Sequence, residues 1–435
     1  MTGIRSRPGA ATGSGQRRSA ISLAAVAVCC VALGALVVLA RQGGVAATRT
    51  VWAEDGTIFL QQASDAPLPE VVGHTYAGYL HVVPRLLTQP ATWLPMSWAD
   101  TYLAFTAALV AAVLAVTVFL VLGQHISSRP VRIGYAAVLL LVPVSQDEVL
   151  ANVANLHWWF ILAGFWVLLW RPQHAWSSTL GAAVVALAVL SDPLTLLLAP
   201  VALARVRWKG RWWLHLPEAA LAAGGALAIV GAAVAGEDRD FEPLVNPVRL
   251  VAYYAKNVVV GGVWGARASQ DVSSATLALW AAASLPVLVL AGLLVWRVRR
   301  RGVARWCLLM SVVFYVVPVA LTGVPAPRYA LVPVLLLYGA VAVGIDEALA
   351  DRAERQVVAH RSARGLWRWA AVALLVPVAV LAWNFRPTAD ERTGGPYWDP
   401  GLARAQAGCT QGGAAAIPIT PDGWTVSLDC AVVRR

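Results

Sequence analysis

Long apolar runs separated by short polar stretches dominate the chain. A helix needs about 20 apolar residues to cross ~30 Å of hydrocarbon. Seven stretches approach or reach that length: Ser19–Ala40, Thr101–Gly123, Ala219–Gly236, Ala275–Trp296, Trp306–Leu321, Tyr329–Ile345 and Trp369–Trp383. Between residues 133 and 204 the runs shorten to Ile133–Val144, Trp158–Trp170, Leu180–Leu190 and Leu194–Ala204. Each is too short to cross alone. They read as two pairs of short helices that enter and leave, sheltered by the longer spans. The pattern therefore predicts an all-α polytopic membrane protein of about eleven segments, some short or broken, covering 19–384. Its amino end is expected to be cytoplasmic and its carboxyl end extracytoplasmic. Ser19–Ala40 follows Arg5, Arg7, Arg17 and Arg18, as a signal peptide would. It is longer than the ~7–15-residue apolar core of such peptides and reads as a retained anchor. Residues 1–18, rich in Gly, Ser and Arg, read as a disordered cytoplasmic tail.

Two stretches break the helical pattern. Residues 41–100 form a first outer loop too long to be a mere connection, and loops of that size are usually functional. It opens on Trp52-Ala53-Glu54-Asp55-Gly56, a carboxylate pair about a dozen residues beyond a span. A helical reading of its later part puts Tyr76, Tyr79, Leu80, Val83 and Leu87 on one side and His74, His81 and Arg85 on another, with a kink at Pro84. Such a segment would lie in the membrane interface, apolar side down. At the other end, residues 385–435 read as a small cap. Trp424, Val426, Leu428, Cys430 and Val432 alternate with Thr425, Ser427, Asp429 and Ala431, the period of a strand. Ile417-Pro418-Ile419 precedes them across Pro421-Asp422-Gly423, which has turn chemistry. A β-hairpin follows, most simply a structural lid.

Composition narrows the class. Hydrophobic residues make up 59% and charged residues 13%, against roughly 45–50% and about 25% in soluble domains. A cytosolic enzyme, a disordered protein and a disulfide-rich secreted scaffold are excluded. The net charge of +11 raises the question of nucleic acid, and its distribution answers it. The amino tail and segments 124–132, 171–178, 205–218, 297–305 and 346–368 carry 21 of the 34 Lys and Arg but 5 of the 23 Asp and Glu. Basic loops on the cytoplasmic side are what insertion requires, so no nucleic-acid partner is expected. Only Lys209 and Lys256 are lysines; that Arg, Ala, Gly and Val bias points to a GC-rich bacterial source and hence to a bacterial plasma membrane. Cys29, Cys30 and Cys307 fall in apolar spans. Cys409 and Cys430 fall in the cap, on the oxidising side, and are predicted to form a disulfide.

An acidic pair soon after the first span, a long first outer loop with interfacial helices, and short middle spans together resemble the GT-C-fold membrane glycosyltransferases. Arg328-Tyr329, in Pro325-Ala326-Pro327-Arg328-Tyr329 just before a span, adds to the likeness, which covers residues 20–345 in architecture through motifs of two or three residues. The resemblance implies a sugar carried on a polyprenyl phosphate as donor, presented at the outer leaflet, and a glycolipid, cell-wall glycan or protein as acceptor. It also implies that a second outer acid binds a metal or assists the acceptor; Asp147-Glu148, followed by Asn152, Asn155 and His157, is the corresponding stretch. Some members use a divalent cation, although no HExxH or paired Cys/His spacing among His74, His81 and His157 announces one.

The chemistry asks for these residue types. Transfer of a sugar to a hydroxyl needs a base, worth about 10²–10⁴-fold; Asp55, with Glu54 beside it, is the candidate. The leaving phosphate gains charge, so a fixed cation favours the transition state. Arg328 is the candidate clamp, with Tyr329 adjoining and Lys256 or Arg249 in reserve. His74, His81, Arg85, Asp147, Glu148, Asn155 and His157 are candidates for substrate contact. Structural readings stand beside these. Glu54-Asp55 also suits a solvated helix cap, Arg328-Tyr329 an interfacial anchor, Trp158-Trp159 an aromatic belt, and Asp192 the N-cap of a helix opened by Pro193. No Walker-type phosphate loop is present, and the long spans carry no interior charges of the kind that transporters keep for ion coupling. The chain is read as a transferase. A carrier for a lipid-linked sugar and a non-catalytic envelope scaffold are the alternatives.

Overall fold

The computed structural model describes residues 13–43, 46–145, 147–206, 210–235, 242–270, 272–298, 301–359, 377–387, 391–409 and 413–435. It is a mostly helical, multi-pass membrane protein with one small two-stranded sheet. Its main helices are α1 (Gly13–Arg41), α2 (Ala99–Val121), α3 (Arg129–Leu141), α4 (His157–Leu169), α5 (Ala175–Ser191), α6 (Ala199–Val206), α7 (Leu216–Ala235), α8 (Ser274–Trp296), α9 (Arg301–Thr322), α10 (Leu331–Ala359) and α11 (Trp398–Gly408). Among the described residues, six stretches are long and apolar enough to cross a membrane: Ala24–Arg41, Met96–Gln124, Trp212–Val234, Ser274–Trp296, Gly302–Thr322 and Pro327–Arg352. Of the predicted Trp369–Trp383 span, residues 369–376 lie outside the described residues. Residues 13–18, read as tail, are the first turns of α1.

The middle helices are short, as their apolar runs are. At ~1.5 Å per residue the 17 residues of α5 reach about 25 Å, less than the hydrocarbon thickness. The short helix α4 is apolar all round, and every one of its residues is buried, the mark of an interior helix. It packs against α2, α5 and α10. Alanines 104, 107, 108, 111, 112 and 115 form the buried stripe of α2, which lets α1 approach closely. At Gly34 a Cβ would stand 2.9 Å from Leu140 Cδ1 and 3.0 Å from the Ala112 Cβ. Large side chains of α7 and α8, including Leu227, Leu285 and Leu290, face outward.

Hydrogen bonds gather the connectors into two opposite ends. At one, Gln124 donates to the Arg171 carbonyl and the Ser127 and Ser128 amides donate to Asp346 at 2.9 and 2.8 Å. There too Arg205 pairs with Glu218 at 2.6 Å and donates to the Val167 carbonyl at 2.7 Å. The other end holds the long loop 41–100, the 142–157 connector, Asp192, the Pro325–Arg328 turn and the carboxyl-terminal cap.

The cap contains the hairpin. Strands β1 (Ala414–Ile419) and β2 (Trp424–Asp429) pair antiparallel, Ile419 opposite Trp424. Ile417, Ile419, Val426 and Leu428 are buried between alternating outward residues. The alternation stops earlier than predicted: Cys430–Val433 is a helical turn, capped by the Asp429 side chain on the Ala431 amide. Cys409 and Cys430 are joined, their Cα atoms 5.5 Å apart. The loop departs from the sequence reading as well. No helix runs through 74–81; Tyr76 and Tyr79 pair across a tight turn, and Ala77, Gly78 and His81 take positive φ. The helix starts at Val82 and ends at Thr88. Pro84 lies in its first turn, where the missing N–H breaks no helical hydrogen bond, so it begins the helix instead of kinking it.

Candidate functional site

Asp55 opens Asp55–Leu60, which winds as a π-helix, a wide turn often found at functional sites. Its side chain is buried at 1% exposure. One carboxylate oxygen accepts the Val153 amide at 2.9 Å and the other the Ala154 amide at 2.8 Å. Those amides open the helical segment that leads into α4, so Asp55 caps, from a distant part of the chain, a buried helix whose first N–H groups would otherwise be orphaned. Burial pushes the Asp55 pKa up to about 7, against the pull of the two amides and of Arg392. Glu54 is half-buried. Desolvation and the neighbouring Glu148 raise its pKa, while Arg328 opposes the rise.

The cap holds this pair in place. The Ala53 amide donates to the Thr420 carbonyl at 2.6 Å, and the Thr420 amide donates to that of Val51 at 3.0 Å. Thr57 Oγ1 donates to the Thr425 carbonyl at 2.7 Å. Gly56 lets the hairpin dock closely: a Cβ would fall 2.5 Å from Ile419 Cδ1 and 3.0 Å from Val51 Cγ1. Arg392, buried, lies 5.0 Å from the centre of the Trp52 ring and donates to Thr50 Oγ1 at 3.1 Å and to the Ala151 carbonyl at 3.3 Å.

From the opposite side, Arg328 forms an ion pair with Glu148, both about one-third exposed, and its guanidinium stands 5.3 Å from the centre of the Tyr329 ring. The Glu148 carbonyl accepts from Asn152 Nδ2 and Asn155 Nδ2, both at 2.6 Å. His157 Nδ1 lies 2.9 Å from the Ala154 carbonyl, and Nε2 lies 3.3 Å from Asp192. Asp192 does cap the next turn, accepting the Leu194 amide at 2.8 Å, and so does two jobs. Trp158 and Trp159 are buried, at 2% and 3% exposure, which excludes an aromatic belt. Trp158 stands edge-to-face with Tyr329 at 5.8 Å. Its Nε1–H has no hydrogen-bond partner among the described residues.

The fold thus brings Glu54, Asp55, Glu148, Asn155, His157, Arg328 and Tyr329 together around the start of α4. His81 adjoins them, its ring 6.5 Å from that of His157 and stacked at 3.8 Å on Tyr79. Other candidates are elsewhere. Arg85 is buried inside the loop, donating to Leu80 and Gln62. His74 is exposed in a shallow depression with Gln62 and Val234. Arg249 is exposed. Lys256 is half-buried on Ala255–Val260, a segment tied to the Pro325 carbonyl through Asn257 at 3.3 Å. No contact joins Arg249 or Lys256 to the acidic pair among the described residues. The Asp147 side chain lies outside the described residues, and among those described no three His, Cys, Asp or Glu residues cluster to hold a metal. Arg392 is the contributor missed by motif reading, and Asp192, read from the sequence as a helix cap, also pairs with His157. Arg392 comes from the cap, some 340 residues from Thr50, and no spacing rule connects them. No protein-family model, curated protein or solved structure matches the chain.

Proposed function

We propose that the chain is a GT-C-type glycosyltransferase of a bacterial plasma membrane, its amino end cytoplasmic and its cap outside. It moves a sugar from a polyprenyl-phosphate donor to a glycolipid, cell-wall glycan or protein acceptor. The observation that carries this reading is the meeting of Glu54, Glu148 and Arg328 over the amino end of the buried helix α4. In the reaction the acceptor oxygen bonds to the anomeric carbon, the bond from that carbon to the phosphate oxygen breaks, and the hydroxyl proton passes to a carboxylate. A single displacement inverts the anomeric centre.

The different surroundings of the two acids support a division of labour. Asp55 spends both oxygens on amides and positions the loop; Glu54, half-buried and near Arg328, is the better-placed proton acceptor. Arg328 leaves Glu148 to grip the departing phosphate, for which its planar fork is suited. The unpartnered Trp158 N–H beside Tyr329 is the kind of buried donor that a ligand satisfies. A carrier would use the same charges for a headgroup without turnover, so turnover is the test. Purified protein offered a panel of labelled polyprenyl-phosphate sugars is expected to transfer one of them to an acceptor. Arg328→Ala is expected to weaken donor use, with Arg328→Lys restoring part. Equal rates for all three proteins would remove the clamp from the mechanism.

A further inference from the structure

A cavity of about 550 Å³ opens between α8, α9, α10 and the segment 258–263. That volume lies within the ~300–1,000 Å³ of small-molecule sites. Among the described residues its lining is apolar apart from the Tyr338 hydroxyl, which donates to the Gly262 carbonyl, and from one end, where Arg305 and Trp296 both line it. Arg305 has no ion pair or hydrogen bond among the described residues. Trp296 is 76% exposed, as indoles at the headgroup level are. The lining on α8 runs from Val287 to Trp296, about 14 Å at ~1.5 Å per residue. That is close to one leaflet's half of a ~30 Å hydrocarbon core. Helix α8 is otherwise 6% buried, so the cavity's outer wall faces lipid.

We infer that this cavity is a binding site for one anionic diacyl phospholipid of the bilayer, drawn from the leaflet at the basic end. An acyl chain lies along Gly292 and Val334, and the phosphate meets Arg305. Charge and depth select this occupant. Arg305, the cation among the described lining residues, is at headgroup level, and the apolar trough below it runs about one leaflet along α8. A polyprenyl donor held by Arg328 would enter from the opposite end.

The test reads lipid retention and needs no turnover, so it stands apart from the sugar-transfer reading. Full-length protein in mild detergent is titrated with phosphatidylglycerol and, separately, phosphatidylcholine, and observed by native mass spectrometry. One phosphatidylglycerol is expected to stay bound under activation that strips loosely held lipid. A Cβ at Gly292 meets nothing within 4 Å, so Gly292→Leu fills the trough without disturbing the helix and should abolish retention. Val289→Trp, at a position 61% exposed outside the cavity lining, should leave retention unchanged. Arg305→Ala should cut the preference for phosphatidylglycerol about five-fold, the effect of one cation beside an anionic headgroup, and Arg305→Lys should keep it. Retention by Gly292→Leu equal to that of the parent overturns the proposal. So does an unchanged preference in Arg305→Ala, or a retained species with the mass of a polyprenyl phosphate.

Discussion

Glu54 and Asp55 are neighbours in the chain with opposite surroundings, and their variants should separate cleanly. Glu54→Gln keeps the size and removes the proposed proton acceptor. Turnover is expected to fall by about 10²–10⁴-fold while the melting temperature holds. Asp55→Asn should lose stability too, because the amide puts an NH2 donor where one of the Val153 and Ala154 N–H groups needs an acceptor. The pH signature of Asp55 follows from its raised pKa, 3.8 going to about 7 on folding. Between those values the folded chain holds a proton that the unfolded chain has released, so the contribution of this group to stability falls as pH rises through the window and levels off above it. Thermal melts across that window should show the decline in the parent and a flatter profile in Asp55→Asn. Gly56 offers another residue-scale test. Gly56→Val drives a side chain into Ile419 and Val51, at a cost of about 1–3 kcal/mol for overpacking. Ile419→Ala in the same chain should recover part of the loss of melting temperature.

Among the elements, the carboxyl-terminal hairpin matters most to the site, because it clamps the strand-like segment before Glu54 and the turn after it. The Cys409–Cys430 bond closes a loop spanning 21 residues, worth about 3 kcal/mol in the chain-entropy account. Reduction, or Cys409→Ser with Cys430→Ser, should lower the melting temperature and expose residues 51–57 to hydrogen exchange. The hairpin was legible in the chain because a two-residue period with a Pro-Asp-Gly turn has few other physical solutions. The stretch 74–81 was not, since its apolar spacing also suits a helix. What decided it was ring packing of Tyr76, Tyr79 and Phe59 around His81 together with positive φ at Ala77, Gly78 and His81, none of which a periodicity encodes.

At the scale of the whole molecule, the two ends differ in kind: one gathers the basic connectors, the other the acidic pair, Arg328 and the cap. Sidedness in the membrane can be read directly. A cysteine introduced as Asp65→Cys, at an exposed loop position, should react with an impermeant maleimide on intact cells. One introduced as Gly302→Cys, exposed at the start of α9, should react after permeabilisation. The reverse pattern would place the acidic pair in the cytoplasm and remove the outer-leaflet donor from the mechanism.

Hydropathy by itself determined the helical, membrane-spanning class, the shortness of the middle helices and the position of the basic connectors, because each depends on local transfer energy summed along one segment. The pattern also marked Glu148 and Arg328 as charges beside spans and Glu54 and Asp55 as a pair in the long first loop. What only the tertiary structure decided is which of them meet and in what dielectric. Asp55 is spent on the amides that open α4, the charge of Arg392 in the cap acts on it, and Arg85 is consumed inside its own loop. The amides that hold Asp55 lie 98 and 99 residues along the chain, and a one-dimensional pattern carries no term for that distance.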